Sequence, residues 1–223
     1  MQSTHIQFAI KQAAAMALVA SAAFGASTIE VTADNSPYAL TADVTDVTSL
    51  SIAENCVLDL NGHDLAYNSS YGSGLNGLSG HACVITNSAA SSTSTISFIL
   101  NTDTSAFGDI LSKVSFGGNL KVVVKGHSSD KTVFFKDENT HTGGTTLDSF
   151  NSKTADAGAL DPNTYGRLQG ATPLGTGPFT MKNGSRILVM DGHGSVMKWD
   201  RLAVENDAGN SAMNVLWLEN RIV

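Results

Sequence analysis

Apolar and polar positions alternate over short runs along this chain, and no run holds a 3.6-residue period long enough for an amphipathic helix. Thr28-Ile29-Glu30-Val31-Thr32 alternates and predicts a first strand. Val44 to Ile52 follows with apolar residues at two- and three-residue steps. Val57-Leu58-Asp59-Leu60 runs into an Asn61-Gly62 turn, a pair that tolerates the positive φ of a tight corner. Further strands are predicted at Cys83–Thr86, Thr95–Leu100, Val114–Phe116, Leu120–His127 and Thr132–Phe135, and near the end at Val196–Trp199, Leu202–Val204 and Val215–Leu218. The Ser/Thr/Ala stretch 88–95 reads as a loop. Residues 148–170 read as a longer one, punctuated by Gly158, Asp161-Pro162 and Gly170.

Composition sharpens the same picture. Hydrophobic residues make up 42%, enough for a core in a 223-residue single domain, so wholesale disorder is excluded. Charged residues reach only 15%, too few for surface helices. The expected class is all-β with many short strands and glycine-bearing turns.

Three segments align without gaps: Val57 to His63, Lys121 to His127 and Ile187 to His193. Each is an apolar strand followed by a polar residue and Gly-His, and the three follow one another at nearly equal intervals. With coils of about 21–22 residues, each interval is about three coils of a solenoid. The three histidines do not make a metal site in that arrangement. Three coils separate equivalent positions by about 14 Å, far beyond the ~2.1 Å reach of a ligand. His63, His127 and His193 are therefore expected to be turn residues. A two-histidine site of His63 with His81 is the remaining metal arrangement, one coil apart.

The block Asn139–Gly192 carries a more specific signal. Thr142-Gly143-Gly144-Thr145-Thr146-Leu147 is followed by Leu174-Gly175-Thr176-Gly177-Pro178-Phe179-Thr180 and closes on Leu188-Val189-Met190-Asp191-Gly192. In this order the segments resemble the autotransporter-associated β-strand repeat, also called the passenger-associated transport repeat. Leu58 to His63 is similar to the closing strand of an earlier unit, and Val114 to Gly126 to the strand that leads into the repeat. His141 stands where the family usually has an aromatic. The link 148–170 is longer than usual, and Ser185-Arg186-Ile187 replaces the usual Gly-Thr-Leu. The resemblance implies a right-handed parallel β-helix over residues 26–223, with the family repeat at about 139–192 and an N-terminal cap from 28–55. No series of about ten-residue alternating strands fills the C-terminal part, so no translocator barrel is expected within these residues.

The N-terminus points to export. Residues 1–25 have the form of a cleaved signal peptide: Lys11, an Ala-rich apolar run from Ala13 to Ala23, and small residues at Ala23 and Gly25. Secretion or display at the cell surface is expected, with no transmembrane segment in the mature chain. Net charge is −7. Removing residues 1–25 removes one cation and no acid, leaving 12 basic against 20 acidic residues, or −8. Without a basic patch, nucleic acid is not an expected partner. Cys56 and Cys83 either pair in an oxidising compartment or serve as two small buried hydrophobes.

Three functions fit these features. The first is a non-catalytic exported surface or secreted β-solenoid module, structural or adhesive, binding glycans or cell-surface proteins. The second is a β-helix polysaccharide lyase or glycosidase, which would need two carboxylates about 5–9.5 Å apart. Asp59, Asp191 and Asp200 show no pairing that stands out, and Arg167, Arg186 and Arg201 are equally unremarkable, so no catalytic residue is assigned. The third is a self-assembling surface-layer or sheath subunit, associating through its coil ends. No cofactor is implied, since Gly175-x-Gly177 lacks the lysine and the strand-to-helix setting of a phosphate loop.

Overall fold

The computed structural model describes residues 27–68, 83–100, 114–126, 131–136, 139–148, 164–169, 172, 174–189, 201–209 and 213–218. These residues form strands and turns, with no helix among them. Residues 1–25, read from sequence as a signal peptide, and the predicted strand at 196–199 lie outside this set.

The strands of the described residues fall into three sheets, and every pairing among them is parallel. The long sheet contains the odd-numbered strands. It opens with β1 (Ser27–Val31), β3 (Val44–Ile52), β5 (Leu65–Asn68) and β7 (Ser94–Leu100). It continues through β9 (Leu120–Gly126), β11 (Gly144–Asp148), β13 (Phe179–Lys182) and β15 (Leu202–Glu205). A four-stranded sheet holds β2 (Tyr38–Ala39), β4 (Val57–Asp59), β6 (Cys83–Asn87) and β8 (Val114–Gly118). Another holds β10 (Lys131–Lys136), β12 (Thr164–Gln169), β14 (Arg186–Val189) and β16 (Val215–Leu218). Within each sheet a strand thus bonds to the strand two places on, and β8 and β10 belong to different sheets. Parallel neighbours require a crossover, and a crossover that itself lays a strand in another sheet is consistent with a β-solenoid.

Alternation decides which side chains are buried. In the long sheet, Leu65, Ile96, Val122, Thr145, Phe179 and Leu202 lie in register as one inward row. Tyr67, Phe98, Val124, Leu147, Met181 and Val204 form the next. Tyr38, Leu58, Ile85 and Phe116 make the corresponding row of the second sheet. Most of these side chains are fully buried, and each large one contributes about 1.5–3 kcal/mol by leaving water.

Several expectations change. The passes are not uniform in length. Ile29 pairs with Leu50, an advance much shorter than that from Leu65 to Ile96 or from Thr145 to Phe179. The three aligned segments do not occupy equivalent positions: Val57 opens β4, Lys121 lies in β9 and Ile187 in β14, one in each sheet. A short apolar strand ending at a glycine corner suits every side of the winding, so the near-equal spacing does not report a period. Residues 28–55 are not a separate cap, because β1, β2 and β3 belong to the stacked sheets themselves. The stretch read as one loop, 148–170, contains β12, which pairs with both β10 and β14. Its strand Thr164–Gln169 has a glycine and an arginine in the middle, which hid the alternation. The block 139–192 spans two passes, since it contains both β11 and β13 of the long sheet.

Its glycines are contact points between passes. A Cβ on Gly177 would lie 2.2 Å from the Thr142 carbonyl oxygen, so this corner accepts no side chain without moving the neighbouring strand. Gly175, at φ +74°, packs against the His141 ring.

His141 is buried and extends an aromatic stack. Tyr67 meets Phe98 at 6.4 Å between centroids, Phe98 meets Phe116 at 6.2 Å, and Phe116 meets His141 at 6.0 Å. The Thr145 hydroxyl donates to the Leu174 carbonyl at 2.9 Å, so it accepts from His141 Nε2–H at 2.8 Å. Nδ1 is then the bare nitrogen, and it has no hydrogen-bond partner. Burial pushes the imidazole down to about 4, while the nearby Phe116 backbone opposes the shift. With the folded value below the ordinary 6.5, protons bind the unfolded chain first. Stability from this group is complete above pH 6.5 and falls as pH drops toward 4.

Two measurements check this core. Phe98→Ala should lower the unfolding free energy by about 3–5 kcal/mol in urea titration. Between pH 7 and 4 the wild type should lose about 3 kcal/mol more stability than His141→Phe, which has no titrating group there.

Candidate functional site

The outward side chains of the long sheet build a polar trough. Its rows follow from the register that builds the core, shifted by one residue. Thr95 lies beside Lys121. Ser97, Val123, Thr146, Thr180 and Ala203 form the middle row. Ile99, Lys125, Asp148, Lys182 and Glu205 form the third. The trough is open and has a volume of about 370 Å³, with Thr95, Ser97, Lys121, Thr146, Thr180 and Lys182 among its lining residues.

The third row is a charge ladder. Lys125, Asp148, Lys182 and Glu205 alternate in sign on adjacent strands. Neighbouring parallel strands lie about 4.8 Å apart, so each cation has an acid on the next rung. Lys182 Nζ also pairs with Asp207 at 2.9 Å. That hydrogen bond holds the Lys182 ammonium above its ordinary value, with Asp148 and Glu205 adding to it. Lys182 and then Asn183 hold the Asp207 carboxyl below the usual carboxylate range.

Asn183 ties the acids together. It is buried, and its Nδ2 donates to Asp148 Oδ1 at 2.7 Å and to Asp207 Oδ2 at 2.8 Å. Its Oδ1 accepts the Asp207 amide at 2.8 Å. It also takes φ +56° beside Gly184, the left-handed corner that an Asn-Gly pair supplies. Asp148 and Asp207, sharing one amide, make an acidic pair at this end of the trough. Asp207 stays ionised, so it is not poised to donate a proton.

The residues singled out from sequence lie elsewhere. Asp59 accepts from the Asn61 and Ser88 amides at 2.9 and 3.0 Å, a corner role. His63 is partly exposed and meets Asp43 at 3.3 Å. Arg186 lies in β14, Arg167 in β12, and Arg201 is exposed just before β15. His81, His127, His193, Asp191 and Asp200 lie outside the described residues. Among those residues no cluster of three His, Cys, Asp or Glu forms a metal-binding group. No helix among them is long and apolar enough to cross a membrane. Cys56 and Cys83 sit on adjacent passes, with the Val84 amide bonded to the Cys56 carbonyl at 3.0 Å. Both are buried, and Cys83 Sγ donates toward the Ile52 carbonyl at 3.3 Å.

The ladder does carry a sequence signal. A charged residue directly follows the last inward apolar residue in Val124-Lys125, Leu147-Asp148, Met181-Lys182 and Val204-Glu205. Unequal steps between these pairs along the chain conceal it. Comparison with known proteins finds no matching family model, no similar curated protein and no similar solved structure.

Asn183→Ala removes three hydrogen bonds and leaves the half-buried end of the ladder without its bridge. It should lower the unfolding free energy by about 2–3 kcal/mol, measured by chemical denaturation.

Proposed function

We propose that this chain is a right-handed parallel β-helix exported as a non-catalytic surface or secreted module, adhesive and structural in the manner of an autotransporter passenger. Right-handedness follows from the general preference of crossovers between parallel strands. Export rests on the signal-like residues 1–25, and the passenger likeness on the ordered Gly-Gly-Thr-Thr and Leu-Gly-Thr-Gly-Pro segments.

The observation that carries the adhesive reading is the trough on the long sheet. A long, shallow surface of hydroxyls, ammonium groups and the carboxylates of Asp148 and Glu205 suits many weak contacts along an extended, hydrated polymer. The hydroxyls of Thr95, Ser97, Thr146 and Thr180 match sugar hydroxyls. Lys121, at the end of the trough away from Asp207, supplies a cation for a carboxylate or sulfate on the sugar. The ligand class is therefore an acidic glycan. A glycosidase or lyase is the second reading, and Asp148 with Asp207, joined through Asn183, is the acidic pair it would use.

A panel of immobilised acidic and neutral glycans tests this. The protein should be retained on acidic glycans, and Lys121→Glu should weaken retention about tenfold. Equal retention of the variant, or no retention at all, sinks the adhesive reading. Release of soluble oligosaccharides that is lost in Asp148→Asn and Asp207→Asn would establish the enzyme instead.

A further inference from the structure

The C-terminal end of the long sheet is chemically unlike its beginning. In β1, Ile29 and Val31 are buried although they lie in the first strand of the sheet. In β15, Val204 belongs to the inward row of Phe98 and Met181, yet it is 59% exposed. Met213 and Leu216, 75% and 39% exposed, are the other large exposed hydrophobics among the described residues, and they lie in the same last pass.

Among the described residues the backbone of this strand is also paired on one side only. The Phe179 amide donates to the Arg201 carbonyl at 3.0 Å and the Asn183 amide to the Glu205 carbonyl at 3.3 Å. Strand alternation then turns the N–H and C=O groups of Leu202 and Val204 away from β13, toward the open edge. An open edge with bare inward residues is a template for another strand.

The sequence of the edge selects that strand. Arg201-Leu202-Ala203-Val204-Glu205 is complementary to itself when reversed about Ala203. An antiparallel copy places Ala203 against Ala203. Leu202 then faces Val204 on the inward side, and these are the residues whose backbone groups point to the edge, so they exchange both hydrogen bonds. On the outward side each Arg201 faces the other copy's Glu205. The ladder Lys125, Asp148, Lys182, Glu205 would then gain a further cation, keeping its alternation of sign across the junction. A head-to-tail contact with β1 offers no such match, because the inward residues of β1 are already covered.

We propose that a second copy of this chain docks on β15, forming a two-fold dimer by antiparallel β15–β15 pairing with reciprocal Arg201–Glu205 ion pairs. Because the contact is isologous, it closes at two copies and does not propagate a filament.

Sedimentation velocity on the full chain across the micromolar range tests the contact, with circular dichroism confirming the fold of each variant. The wild type should dimerise. Arg201→Glu or Glu205→Arg replaces two attractions by two repulsions and should weaken the dimer about tenfold or more. The combined exchange Arg201→Glu with Glu205→Arg should restore it. An equimolar mixture of the two single variants should form the heterodimer, since their charges then complement. A monomer throughout, with the edge covered by another segment or left bare, overturns the proposal. So does an oligomer indifferent to either reversal, or an exchange that fails to recover association.

Discussion

In-register stacking of equivalent side chains is the constraint on which the rest of this molecule depends. Each inward residue of the long sheet is buried by the one before it and the one after it, as Phe98 is by Tyr67 and Val124. A slip of one residue would turn a whole strand inside out and expose its apolar row. The winding therefore tolerates passes of very different length, provided that each returns its strand in register. Length is absorbed in the connections. Lengthening a loop costs little closure entropy compared with losing a buried row.

The same stacking leaves narrow room at the corners and explains the polar exceptions in the core. Gly177 and Gly175 sit where one pass crosses the backbone or ring of another. Thr145 interrupts an otherwise apolar row and is satisfied by Leu174 and His141, all buried. A buried hydroxyl without those partners would be destabilising, so the histidine is part of the packing rather than an exposed turn group. Only one of its nitrogens is satisfied, which is why burial holds it neutral.

Function follows from the outward half of the same rows. The register that stacks Val124, Leu147, Met181 and Val204 must also stack Lys125, Asp148, Lys182 and Glu205 one position later. A ladder of like charges there would be repulsive at every rung; alternation makes each rung attractive. Stacking also defines its own failure at the end of the sheet. β15 keeps the inward row and the charge ladder but has neighbours on one side only among the described residues.

Much of the architecture was legible in the residues alone. Alternation located β1, β3, β6, β7, β9 and β10 closely, and low charge with abundant glycine indicated an all-β chain. Short strands such as β2 and β5, and β12 with its central glycine, left too little pattern to read. Residue order determined which side chains alternate, where corners could form and that helices were disfavoured, because these depend on neighbours in the chain. Which strand lies on which did not. The likeness of residues 57–63, 121–127 and 187–193 suggested one period, whereas the fold assigns them to three different sheets. Only tertiary register, with passes of unequal length, brings Lys125, Asp148, Lys182 and Glu205 into one row and leaves Val204 without a successor among the described residues. Stacking energy depends on side chains brought together across the passes, and local pattern along the chain does not encode that distance.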